Sequence, residues 1–169
     1  MNDHVFHASQ AFRLDSPERL VWLPSQQVIR LLGLRSGMSV ADIGAGTGYF
    51  SLPIAARVGP NGKVYAADIQ PDMLTILQGK LAERKLDNIE GVVGQACQTN
   101  LPATMCDLAF LANVWHELDD LNAVLQECRR ILRPEGRIAI VDWRDDVSQP
   151  PGPPPRRPVM ACSQSSTWR

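Results

Sequence analysis

Residues 40–50 read Val-Ala-Asp-Ile-Gly-Ala-Gly-Thr-Gly-Tyr-Phe. A short apolar run carries one acid, Asp42, and glycine then recurs at 44, 46 and 48 before apolar residues resume. The pattern predicts a strand entering a tight turn that opens a helix. Glycine lets the backbone bend sharply and approach a ligand with no Cβ in the way, and free N–H groups at the helix start are expected to face an anionic group. The spacing also separates ligand classes. A dinucleotide fingerprint needs Gly-x-Gly-x-x-Gly; here Gly48 follows Gly46 by two residues and the next residue is Tyr49.

Outward from this turn, residues 39–143 alternate apolar strands with helical periodicity, which predicts βαβ units around a parallel sheet. Strands are expected at 39–43, 63–69, 89–94, 106–113 and 137–143. Pro71 and Asp72 suit a first helical turn, and Met73, Leu74, Leu77 and Leu81 follow at helical spacing, with Arg84 and Lys85 near the far end. A later stripe of Leu121, Val124, Leu125, Cys128, Ile131 and Leu132 is capped by Asp119 or Asp120 and stopped by Pro134. Both stripes read as core.

Residues 1–38 form a helical preface, with starts at Ser16-Pro17-Glu18 and Pro24-Ser25 and an apolar set of Val28, Ile29, Leu31 and Leu32 ending at Gly33. Residues 144–169 hold six of the thirteen prolines, all between Gln149 and Pro158, so an extended, disordered tail is expected there. The three expected parts are thus 1–38, 39–143 and 144–169.

At 169 residues, 44% apolar and 21% charged, the chain has the composition of one globular domain. A net charge of −1 gives no electrostatic footprint for nucleic acid or an anionic membrane. Cys97, Cys106, Cys128 and Cys162 make no C-x-x-C pair, and no His stands at zinc-ligand spacing, so reduced thiols and no metal are expected. No apolar run approaches the ~20 residues of a membrane span, and Met-Asn-Asp-His is not a signal peptide start. The expectation is a cytoplasmic protein, with a small-molecule substrate or a protein partner both open at this point.

The sequence Asp-x-Gly-x-Gly-x-Gly over Asp42–Gly48 resembles motif I of the class I S-adenosylmethionine-dependent methyltransferases. The likeness extends over about Ser16–Trp143. It implies a Rossmann-like α/β three-layer sandwich with sheet order 3-2-1-4-5, and S-adenosylmethionine held by Asp42, Gly44, Ala45, Gly46 and Gly48. Asp68, twenty positions after Gly48, closes the second strand beside Ile69. A carboxylate there can accept both ribose hydroxyl protons, as it does in the family. Asp42 is open to a second role, holding the glycine loop by hydrogen bonds.

Gly94-Gln95-Ala96 stands where the family usually shows Gly-Asp-Ala, so Gln95 and Ala96 are expected at the adenine, with a carbonyl replacing a carboxylate. Asn113-Val-Trp-His-Glu resembles the segment that lies along the cofactor and faces the acceptor. The resemblance puts the Asn113 carbonyl at the methionine part and turns His116 or Glu117 towards the acceptor, with His116 the catalytic candidate. His116 also suits a plain structural role, capping a helix or bonding a nearby carboxylate, and Trp115 reads as core. Leu132-Arg-Pro-Glu-Gly-Arg looks like the family's turn into its fifth strand.

A complete relative resembles seven strands in order 3-2-1-4-5-7-6, and this chain shows five. The expectation is therefore a shortened form lacking the last hairpin, with 137–143 as an exposed edge able to self-associate. A catalytically impaired binding or regulatory module is the alternative function. An NAD-dependent oxidoreductase is disfavoured by Tyr49.

Overall fold

The computed structural model describes residues 8–143. Parallel strands β1 (Ser39–Ile43), β2 (Lys63–Asp68), β3 (Ile89–Val93), β4 (Cys106–Ala112) and β5 (Leu132–Val141) form one sheet in the order β3-β2-β1-β4-β5. The expected order is thus the observed one. Helices α1 (Pro17–Trp22), α2 (Ser25–Leu31), α3 (Ser51–Val58), α4 (Pro71–Arg84) and α5 (Leu121–Ile131) complete the described chain, with a 3₁₀ segment at Ala8–Asp15 and a 3₁₀ turn at Trp115–Glu117.

Alternation along each central strand divides the core into two faces. Val40, Val64, Leu108 and Phe110 pack with α2, α3 and α4, whereas Ala41, Ile43, Ala109 and Leu111 pack with α5. Helices on both sides of a parallel sheet whose three central strands are mostly buried make three layers. Each fully buried side chain such as Phe110 or Leu77 contributes roughly 1.5–3 kcal/mol of transfer free energy.

The α4 stripe is as expected: Met73, Leu74, Leu77 and Leu81 are all buried, and the helix ends at Lys85 in the left-handed region, φ 53°. Asp120 caps α5, its side chain accepting from Ala123 N at 2.9 Å. The α5 stripe is narrower than expected. Leu121 and Leu125 are more than a third exposed, and the buried line runs Val124, Glu127, Cys128, Ile131. Leu31, 85% exposed, likewise turns away from the core that Ile29 and Leu32 join.

β5 begins five residues before the expected position. Its pairing jumps from Cys106–Leu132 to Leu108–Arg137, so Arg133–Gly136 loop out of the ladder. Pro134 has no N–H to give a neighbour, and a Cβ on Gly136 would lie 2.8 Å from Leu132 Cδ2 and 2.9 Å from Arg133 O. Among the described residues β5 has one sheet neighbour, β4. Expectations for residues 144–169, including the proline-rich tail, Cys162 and a missing hairpin, fall outside the described residues.

The preface contributes to the core: Leu23, Ile29, Leu32, Leu34 and Met38 belong to the α3-side cluster. α2 covers the sheet, while residues from Gln10 to Trp22 line a cleft at the strand ends.

Candidate functional site

A cleft of about 830 Å³ opens beyond the carboxyl ends of β1, β2 and β4, where open α/β sheets place their ligands. Its lining brings together Gly44, Ala45, Gly46, Asp68, Ile69, Gln95, Ala96, Asn113 and His116, all expected from the sequence. Asp42 and Gly48 stand behind it. Gly48 has φ 85°, and a Cβ there would meet Leu77 Cδ1 at 2.4 Å, so this glycine seats the turn on α4. Asp42, 2% exposed, accepts from Ser51 Oγ at 2.5 Å and ties the strand to the start of α3. Burial pushes its carboxyl up to about 6, against the Ser51 hydrogen bond and with help from the nearby Asp68 charge.

The turn is made of backbone. Gly44 and Ala45 N–H both donate to Ala67 O, at 2.8 and 3.1 Å, and Gly46 N–H donates to Asp68 Oδ2 at 2.8 Å. Gln70 N–H holds the other carboxylate oxygen at 2.9 Å. The amides of Gly44, Ala45 and Gly46 are therefore engaged by the neighbouring strand. Asp68 is fixed at the lip of the cleft. Burial raises its carboxyl, and the amides of Gln70, Gly46 and Ile69 oppose that rise. Gly44 has φ 74°, and a Cβ there would reach Val114 Cγ2 at 2.8 Å; on Gly46, φ 54°, it would reach Leu14 Cδ1 at 3.1 Å. Side chains at either position would fill the cradle.

Gln95 sits in a tight turn, exchanging backbone hydrogen bonds with Gln98 at 3.0 and 2.9 Å, while Gly94 N–H donates to Asp68 O at 3.0 Å. The far end of that loop is anchored by Glu127, which accepts from Thr99 N at 2.8 Å and Thr99 Oγ1 at 2.6 Å and pairs with Arg130 at 2.7 Å. The Arg130 hydrogen bond, with those from Thr99, overcomes burial and holds the Glu127 carboxyl down at about 2. Sequence reasoning missed Glu127, for which a charged residue inside an apolar stripe was the signal available.

Asn113 adopts the left-handed region, φ 55°, and its N–H donates to Val141 O at 2.8 Å. The chain then turns so that Trp115 enters the α5-side core and His116 lines the cleft. His116 Nδ1 lies 2.8 Å from Asp142 Oδ1, and its backbone N–H donates to Asp142 Oδ2 at 3.2 Å. The carboxylate-bonded reading of His116 therefore holds, and the ring still faces the cleft.

Four further features escaped the sequence. Asp142 stands at the end of β5 as Asp68 stands at the end of β2, and an acid at a strand's carboxyl end was the available signal. Trp22 and Trp143 stack at the cleft, ring centroids 4.9 Å apart. Asp15 is clasped by Lys80 Nζ at 2.7 Å and Thr47 Oγ1 at 3.0 Å, which pins the 3₁₀ segment across the glycine turn. Arg19, 7% exposed, lines the cleft with its guanidinium 4.2 Å from the centre of the Tyr49 ring and one hydrogen bond to Leu14 O at 3.0 Å. Its Nε is the one buried side-chain N or O atom among the described residues with no hydrogen-bond partner. No clustered metal ligands occur among the described residues.

Residues 41–140 match the family described as a methyltransferase domain. The chain is 36% identical over 112 residues to a ubiquinone/menaquinone biosynthesis C-methyltransferase of Hahella chejuensis, an alignment covering 66% of this chain and 45% of that protein. It is 30% identical over 125 residues to a demethylmenaquinone methyltransferase of Listeria monocytogenes, covering 74% of this chain and 51% of the relative. The chain thus spans about half the length of these curated relatives. A crystal structure of a SAM-dependent methyltransferase from Aquifex aeolicus superposes with a TM-score of 0.82 at 34% identity, covering 89% of this chain and 80% of that one.

Proposed function

From a chain that belongs to the methyltransferase domain family, we propose an enzyme that moves a methyl group from S-adenosylmethionine to a small aromatic acceptor, a hydroquinone ring being the acceptor that its relatives' names favour. The observation that carries this reading is the Asp68 carboxylate, fixed by two amides at the lip of a glycine cradle. Each of its oxygens retains acceptor capacity for a ribose hydroxyl.

The cradle fits the cofactor of this family. Gly44 and Gly46 leave the room that a Cβ would take, and Gln95, Ala96 and Ile69, which line the same cleft as Asp68, are assigned to the adenine base. A buried cation lacking a partner for one N–H suits a carboxylate, so Arg19 is assigned to the amino-acid end. When bound, S-adenosylmethionine supplies a methyl carbon already activated for displacement. The work left to this chain is to orient the acceptor, worth roughly 7–11 kcal/mol, and to take its proton, worth about 10²- to 10⁴-fold. Trp22 and Trp143 offer flat apolar surface for an aromatic ring, and His116 is placed to receive the proton.

The test is transfer of labelled methyl from S-adenosylmethionine by the full chain to a short-chain demethylated hydroquinone. The expected product carries the label on the ring. A chain that binds S-adenosylmethionine yet labels neither the hydroquinone nor any component of a metabolite extract would contradict the proposal.

A further inference from the structure

Resting on that reading, we infer that Asp142 is a positioning residue: it fixes the His116 ring with Nδ1–H inward and Nε2 as the proton acceptor at the cleft. The carboxylate grips residue 116 at two points, through the ring nitrogen at 2.8 Å and the backbone N–H at 3.2 Å. Its own orientation is set by Trp143 N–H, which donates to Oδ1 at 2.7 Å. Every group bonded to Asp142 here is a nitrogen that must donate, because an ionised carboxylate only accepts. The proton of a neutral His116 therefore resides on Nδ1, and the lone pair on Nε2.

Burial makes this arrangement directional. The Asp142 side chain is 4% exposed and that of His116 9% exposed. Among the described residues no lysine or arginine pairs with Asp142. A buried carboxylate is costly unless it is paired, and a protonated His116 would supply a partner. Glu117 Oε1 stands 3.8 Å from Nε2, so a proton arriving there lies between two carboxylates. In the step this serves, the acceptor O–H bond breaks, its electron pair stays on the acceptor, and the proton passes to Nε2. The imidazolium so formed is stabilised at both nitrogens, as in triads where a carboxylate selects the tautomer of a basic histidine.

Two measurements on the full chain test this separately from the overall activity. Nitrogen-15 NMR of the histidine ring reads the tautomer without any turnover: Nδ1–H is expected in the native chain, shifting to Nε2–H in Asp142→Asn, whose amide can donate to Nδ1. A native His116 already in the Nε2–H form would overturn the inference. In the labelled-methyl assay, His116→Ala and Asp142→Asn are each expected to lower kcat by about 10²- to 10⁴-fold with the dissociation constant for S-adenosylmethionine held within threefold. The double variant should be no slower than His116→Ala, since residues acting as one unit are not additive. A double variant that loses the product of the two single effects would show Asp142 acting independently of His116, and would likewise overturn it.

Discussion

The two halves of the cleft are built by different means. On the β1–β2 side the lip is backbone: residues 44–48 turn on themselves, and amides of Gly44, Ala45 and Gly46 are satisfied by Ala67 and Asp68 on the adjacent strand. On the β4–β5 side the wall is side chains gathered from afar, with His116 against Asp142 and Trp22 against Trp143. A backbone-built site tolerates change of surrounding side chains but not of its glycines. A side-chain-built site can be retuned one residue at a time. The first half suits an invariant cofactor and the second an acceptor that differs between enzymes.

Arg19 is where this contrast is easiest to break, because it reaches the cleft from the preface and is proposed to hold the amino-acid end of the cofactor. Arg19→Met is expected to weaken S-adenosylmethionine binding by about 10- to 100-fold, the size of one charged hydrogen bond. The same change should leave the melting temperature unchanged or raised, since it removes a buried N–H without a partner. Titration calorimetry and a thermal melt read both signs. Equal affinity in the variant would assign Arg19 to packing on Tyr49 alone.

Glu127 tests whether the loop bearing Gln95 stands by itself. Glu127→Ala leaves two Thr99 donors and Arg130 without their acceptor, an expected cost of about 2 kcal/mol. For a chain of this size that is a drop of roughly 4–8 °C in Tm. No change in Tm would mean that the loop is held by its own backbone turn, as the glycine turn is.

A smaller effect lies under the glycine turn. Asp42 has its carboxyl raised to about 6, so the folded state binds its proton more tightly than the unfolded chain does. Stability is therefore greatest below the unfolded value near 4 and falls as pH rises towards and through 6. Between pH 5 and 7 the loss attributable to Asp42 is about 1 kcal/mol. Asp42→Asn should remove that portion of the pH dependence in urea unfolding. Identical profiles for the two chains would show that Asp42 is not desolvated as described.

Legibility in the sequence follows the same division. The turn, the strand ends and Asp68 were readable because they lie within short, periodic stretches whose residues act on their sequence neighbours. The α4 stripe was readable for the same reason. The start of β5 was not: the helix-ending role of Pro134 hid the fact that Leu132 already pairs with Cys106 before the chain loops out. Arg19, Trp22 and Asp142 were not, because each acquires its role from a partner that only folding supplies. The clasp between Lys80 and Asp15 joins residues 65 positions apart, which no local pattern marks.

Asp68 and the glycine turn are proposed to make a cradle for the adenosyl group of S-adenosylmethionine. Titration calorimetry of the full chain with S-adenosylmethionine and with NAD, repeated on Asp68→Ala, tests it most directly. Binding of S-adenosylmethionine is expected, with no heat from NAD and a loss of at least about 100-fold in affinity in the variant, from two hydrogen bonds to a charged group. Tight NAD binding without S-adenosylmethionine binding, or an Asp68→Ala chain that binds S-adenosylmethionine as the native chain does, would contradict it.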